Sequence, residues 1–318
     1  MSLLRALPGA MSQGLIWGIL ALGVYVTYKI LDFADLTVDS SLCTGGAVSA
    51  VLIIAGVHPL LTLPIAMLAG MCAGMITGML NTKLGIPPIL AGILTQLALY
   101  SVNIRIMGRS NIGLNKQPTI ISLGNIPMAI LTGLLVVAVV IAGLYWFFGT
   151  EIGCAIRATG NNRKMVRAQG VNTNSMKMLG LTISNGMVGL AGALLAQYQG
   201  NADINMGRGA IVIGLASVII GEVIFGTRFN FAYQLGSIVC GSIIYFAIIA
   251  LVLQLGLHTD DLKLFSATVV AIALGLPYLR QKYGKAGKKA AAGNTVASEL
   301  ADLAQTAVNG VMPEEKGE

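Results

Sequence analysis

The chain has 318 residues, of which 55% are hydrophobic, and only 20 Lys/Arg and 13 Asp/Glu carry charge; its mean hydropathy is +0.79. A water-soluble domain of this length needs more polar surface, so the composition excludes one and describes helices packed in lipid, which 40 glycines and 14 methionines suit. The net charge of +7 lies mostly between apolar runs and after the last of them, where it orients a membrane protein and gives no reason to expect a nucleic-acid partner.

The first apolar run, centred on residues 11–30, follows a single Arg5. No Ala-x-Ala-like site ends a short hydrophobic core there, so a first span is expected and not a cleaved signal. Residues 40–82 are uncharged over 43 positions, too long for one crossing at about 20 residues each. They divide at Gly56-Val57-His58-Pro59 into segments 42–56 and 60–80.

Just before them, DFADLTVDSSLCTGG, Asp32–Gly46, leads three aspartates straight into apolar sequence. Two readings stand. One is a polar loop whose Asp39 or Ser40 caps the next helix. The other is a broken or re-entrant helix near the N-terminus, tolerated at membrane depth only where protein or a cavity covers the backbone.

A segment at 84–104 starts with Pro87 and Pro88, where proline costs a helix least. Residues 105–126 are a mixed connection, and further spans are expected near 127–148, 179–198, 209–226, 232–255 and 264–279. The fold class is therefore an all-α polytopic membrane protein with about nine membrane segments. Residues 1–280 form the membrane domain, and 281–318, basic and then alanine-rich and polar, form a flexible cytoplasmic tail.

One island of charge interrupts this pattern. Loop 149–178 holds Arg157, Arg163, Lys164, Arg167 and Lys177. With this loop and the basic 280–289 cluster in the cytoplasm, fourteen Lys and Arg residues fall inside and six outside, Arg208 among the latter. The N-terminus is then outside. Within the loop, Arg163–Ala168 is competent for a short amphipathic helix, capped by Asn161 or Asn162 and closed by Gly170-Val171-Asn172. Such a helix offers a docking surface to a partner, and its basic residues suit lipid phosphates as well.

Asp35 and Asp39 are candidates for holding the broken segment or for local capping. Glu222, near the inner end of an apolar run, is a gating candidate or a simple interfacial charge. Asn185 and Gln197, twelve residues apart in one span, bridge helices or line a pathway, and Asn103 lines a vestibule or caps a turn. Gly186, Gly189 and Gly192 indicate close packing. Cys43, Cys72, Cys154 and Cys240 have no ligand-like spacing and read as small buried hydrophobes. His58 and His258 lie far apart, so no metal site is expected. No Gly-x-x-x-x-Gly-Lys-Ser/Thr loop and no nucleophile–base constellation occurs. The chain is thus not expected to be an enzyme, and its driving energy must come from elsewhere.

The run AIRATGNNRKMVRAQGVNTNSMKMLGLTISNGMVGLAGAL, with Ala158, Gly160, Asn162, Ala168, Gly170, Val171 and Asn172 at pattern positions, resembles the cytoplasmic loop and following helix of bacterial ABC-importer permeases. The group is that of branched-chain amino acid and simple-sugar permeases. DFADLTVDSSLCTGGAVSAVL, GMLNTKLGIPPILAGILTQLALYS and GRGAIVIGLASVIIGEVIFG resemble its other motifs in the same order. Two departures stand out, Ser40-Ser41 where a glycine is common and Ala91-Gly92 for a threonine-containing start.

The resemblance implies a permease subunit in the bacterial inner membrane, with Arg163, Lys164, Met165, Arg167, Ala168 and Gly170 in the coupling loop that docks on an ATPase. It implies as partners cytoplasmic ABC ATPase subunits, which bind ATP and magnesium, a second permease copy or homologous chain, and an extracytoplasmic solute-binding protein. No cofactor is implied in this chain. The Gly-Glu-x-x-Phe-Gly ending of the last motif, Gly221–Gly226, is similar to a subgroup linked to tryptophan or tyrosine uptake. The rival class is an ion-coupled secondary transporter in which Asp35, Asp39 or Glu222 carries the proton or ion.

Overall fold

Helix α1 runs over Leu3–Tyr25 and widens into a π turn at Val26–Ile30, followed by α2 (Val38–Ile54), α3 (Pro59–Thr82) and α4 (Pro88–Met107). After strand β1 (Asn111–Gly113) come α5 (Ile126–Gly149), α6 (Glu151–Asn161), α7 (Arg163–Ala168) and α8 (Thr173–Gln199). Strand β2 (Asn201–Asp203), α9 (Ala210–Phe225) and α10 (Phe231–Gln254) complete the order. The structure is a computed structural model; it describes residues 3–114, 117–226 and 230–254 and isolated positions as far as 275. All of these elements belong to the unit Met1–Val270. The expected segment at 264–279 lies largely outside the described residues, and the 281–318 tail entirely so.

Among the described residues, six helices are long and apolar enough to cross a membrane, namely α1 with its π turn, α3, α4, α5, α8 and α10. The expected segments at 42–56 and 209–226 form α2 and α9, which are apolar but too short to qualify. Local sequence explains most boundaries. His58 Nδ1 accepts the Leu60 N–H and Pro59 opens α3, while Pro87 and Pro88 start α4. Asn172 Oδ1 accepts the Asn174 and Ser175 N–H groups at the start of α8, and Gly200, at φ 71°, ends it.

α8 is the centre of the fold. Most of its apolar window is buried, as is that of α1, whereas α5 is largely exposed. The outward face of α5, with Leu131, Leu134, Leu135 and Val139, meets lipid tails as apolar as itself. α1 runs antiparallel to α8. The Ser12 hydroxyl lies 2.8 Å from that of Tyr198, and at the other end the Ile30 carbonyl abuts Gly160 of α6. The N-terminus and the charged loop therefore lie at opposite ends of the bundle, the arrangement expected from the charge distribution.

α2, α3 and α8 meet at glycines. A Cβ on Gly45 would strike the Gly189 carbonyl, and one on Gly189 would come within 2.7 Å of the Ala66 carbonyl oxygen. With little hydrophobic drive between helices in lipid, such backbone-to-backbone approach supplies the packing. To the helices the structure adds one antiparallel ribbon, β1 with β2, pairing Ile112 with Ala202. It fastens the connection after α4 to the outer end of α8.

Candidate functional site

Residues 31–37 leave the π turn without helical structure, and Asp32 adopts φ 52°. The chain then turns back alongside α8, and α2 begins where Ser41 Oγ donates to Asn185 Oδ1 at 2.6 Å. At 1.5 Å per residue, Asn185 is about 18 Å from the start of a helix about 40 Å long. α2 thus starts deep inside the bundle. Its entry is held by Asp35, which is 2% exposed. The carboxylate accepts the Thr37 N–H at 2.9 Å and the Asn185 Nδ2–H at 2.6 Å. Hydroxyls continue the network, with Thr37 2.7 Å from Thr77 and Thr77 donating to Thr95 at 2.9 Å. Within the non-helical stretch, Phe33, Asp35 and Thr37 are buried against protein, while Asp32 and Ala34 are exposed.

Neither Asp39 nor Ser40 caps α2, contrary to expectation. Thr37 occupies the cap position without a side-chain capping bond, its hydroxyl lying 2.7 Å from that of Thr77 instead. Ser40 instead donates to the Gln96 carbonyl. Asp39 caps a different helix, its two oxygens accepting the Gly209 and Ile211 N–H groups at 3.0 Å each. These are the first N–H groups of α9, which therefore also starts beside the first turn of α2. The Gly207 N–H donates to Cys43 Sγ at 3.2 Å, and a Cβ on Gly207 would strike the Asp39 carbonyl. Two short helices thus begin at one level, and one carboxylate joins them by bonds favoured at a helix N-terminus.

Arg208, counted above with the outer loops, is carried by this turn to the level of Asp39. Between α2, α4 and the turn lies a cleft of about 240 Å³ lined by Asp39, Ser40, Gln96, Leu97, Tyr100 and Arg208, among others.

The buried amides serve packing. Gln197 Nε2 lies 3.3 Å from Ser49 Oγ, the Pro59 carbonyl and Thr62 Oγ1, and its Oε1 accepts the Ile120 N–H. Asn185 and Gln197 are at most 1% exposed, so they face neighbouring helices and not an open path. Asn103 is equally buried, and neither of its amide atoms has a hydrogen-bond partner. Glu222 pairs with Lys29 at 3.0 Å, tying the end of α9 to the π turn. Of the four cysteines only Cys43 is buried, and Cys72, Cys154 and Cys240 lie on outward helix faces. Cys72 and Cys240 are apolar enough to lie on membrane helices without a core position, while Cys154 sits on α6 in the charged loop.

On the opposite end from the ribbon, Thr150 caps α6 and Asn162 Oδ1 caps α7 by accepting the Met165 N–H. Val166 of α7 is buried, while Arg163, Lys164, Met165, Arg167, Ala168 and Gly170 are exposed. Gly170, at φ 82°, makes the turn towards α8. Arg167 Nε also donates to Thr173 at 2.9 Å. α6 is fastened to the bundle twice. Gly160 sits on the Ile30 carbonyl, and the Arg157 guanidinium lies 4.0 Å from the Phe231 ring centre and 5.8 Å from that of Phe148. The composition near Arg157 gave no sign of the Phe231 contact, since that ring belongs to α10. No group of His, Cys, Asp and Glu suited to a metal occurs among the described residues.

Among the described residues, six helices long and apolar enough to cross a membrane make this a multi-pass membrane protein. Residues 7–276 match the family described as branched-chain amino acid transport system / permease component, and the chain belongs to that family of ABC-importer permeases of the inner membrane. It is 39% identical over 279 residues to the tyrosine transport system permease protein of Clostridioides difficile (strain R20291), covering 88% of this chain and 94% of that one. It is 25% identical over 192 residues to the ribose import permease protein RbsC of Escherichia coli (strain K12), covering 59% and 60%. Its fold is similar to a chain in the structure of PsaBC from Streptococcus pneumoniae in complex with Fab. The TM-score is 0.50 at 15% identity, over 86% of this chain and 91% of that one.

Proposed function

We propose that this chain is the permease subunit of an ATP-driven importer of amino acids, coupled to separate ATPase subunits through residues 157–172. The observation that carries the coupling is the shape of the loop. A six-residue helix is anchored inward by Val166 and presents Arg163, Lys164, Met165, Arg167 and Ala168 outward. Its neighbour α6 is tied to α1 at Gly160 and to α10 through Arg157. A push on α7 therefore reaches two membrane helices, one through a backbone approach at Gly160 and one through the Arg157 side chain.

Amino-acid cargo is favoured by the long, 39%-identical match to a tyrosine permease over the shorter, 25%-identical match to a ribose permease. Two permease copies would enclose the path, and a solute-binding protein would deliver cargo from outside. The ion-coupled alternative finds less support. Asp35 is buried and held by Thr37 and Asn185, and Glu222 is paired with Lys29, so neither is a free carboxylate awaiting an ion.

The test is uptake into liposomes containing the permease, its ATPase and enclosed ATP, with the binding protein outside. Labelled tyrosine, leucine and ribose are offered in turn. Accumulation of an amino acid that needs ATP and survives ionophores is expected. Accumulation driven by an ion gradient without ATP would sink the reading.

A further inference from the structure

The cleft between α2, α4 and the 204–209 turn holds polar groups that the fold leaves unused. Among the described residues, the Arg208 guanidinium makes no hydrogen bond and no ion pair, the ion pair present there being Lys29–Glu222. The Gln96 amide and the Tyr100 hydroxyl, on the α4 wall, likewise have no hydrogen-bond partner there. Asp39 uses one lone pair on each oxygen for the N–H groups of α9, leaving acceptor capacity on a carboxylate that has about four sites. The cleft is at the depth where α2 and α9 begin, and an ionisable group at such depth faces protein or a water-filled cavity and not lipid.

We propose that this cleft holds the zwitterionic head of an amino acid in transit. Arg208 receives the α-carboxylate through its planar fork of donors. Asp39 accepts from the α-ammonium, with the Gln96 amide beside it. Leu97 and the Tyr100 ring give the cargo side chain an apolar and aromatic wall. The acid and the base flank one cavity without closing on each other, which is what a ligand carrying both charges requires. The assignment rests on the amino-acid reading above.

The liposome uptake assay tests it with two cargoes, tyrosine and tyrosine amide, which lacks the carboxylate. The same binding protein serves every permease variant, so its own selectivity cancels between variants. Wild type is expected to prefer tyrosine. Arg208→Gln is expected to lower tyrosine uptake by about tenfold or more and to erase the preference, as for loss of a charge-assisted bond. Arg208→Lys keeps the charge and is expected to keep the preference at a reduced rate.

Arg208→Gln with tyrosine uptake and preference as in wild type overturns the site. So does an Arg208→Lys protein that transports but no longer discriminates, which decides the matter should the Gln variant be inactive with both. A wild-type protein that imports ribose and neither tyrosine nor leucine fails earlier, at the cargo reading itself.

Discussion

Asp35 shows what a buried charge asks of its neighbours. Its carboxylate is shut from solvent and held by one backbone N–H and one amide of Asn185. Removing that amide strips donors from a buried acceptor, at a cost of about 2–4 kcal/mol. Asn185→Ala is therefore expected to lower the thermal midpoint in detergent sharply. Asp35→Ala combined with Asn185→Ala should cost less than the two separate losses added, because the second change removes a group already stranded. Strict additivity in the unfolding data would contradict the pairing. A glycine comparison works at the same scale. Gly189→Ala forces α3 and α8 apart and is expected to cost about 1–3 kcal/mol, while Gly143→Ala, with nothing within 4 Å, should be silent. Equal midpoints for the two variants would refute the close packing.

Among the elements, the helices that span were legible from apolar run length alone, because each needs only its own sequence. The meeting of the α2 and α9 starts at one level of the bundle was not. The Asp39–Gly209 bond joins positions 170 apart, and no local pattern reveals that an aspartate in one helix caps another. Ribbon pairing of Asn111–Gly113 with Asn201–Asp203 was hidden for the same reason. The α7 cap, in contrast, was local and could be read from Gly160-Asn161-Asn162. Asn162 proves to be the residue that bonds, holding Met165 N–H at 3.1 Å. Asn162→Ala is expected to destabilise α7 by about 1 kcal/mol. Amide exchange at residues 165–168 should then quicken about fivefold. Unchanged exchange would mean that the cap contributes nothing. Of the candidate site, the α7 residues proposed for coupling were visible as a charged island in an apolar chain. The cleft at Arg208 was not, since its walls come from three separate elements.

For the whole molecule, the question is where energy enters. Glu222 and Lys29 form a partly exposed pair at the inner end of the bundle, worth less than about 1 kcal/mol. Glu222→Gln is accordingly expected to leave ATP-driven uptake within about twofold of wild type, whereas an ion carrier at that position would lose all transport. The proposed route from α7 through α6 to α1 and α10 requires instead an ATPase seated at the exposed face of α7. Co-purification from the native membrane, with mass spectrometry of what stays bound, tests that seat directly. A P-loop ATPase is expected to come down with the wild-type chain and to be lost when Arg163, Lys164 and Arg167 are together changed to Ala. An ATPase retained by the triple variant would contradict docking at α7, and a partnerless wild-type chain that still transports on an ion gradient would contradict the importer itself.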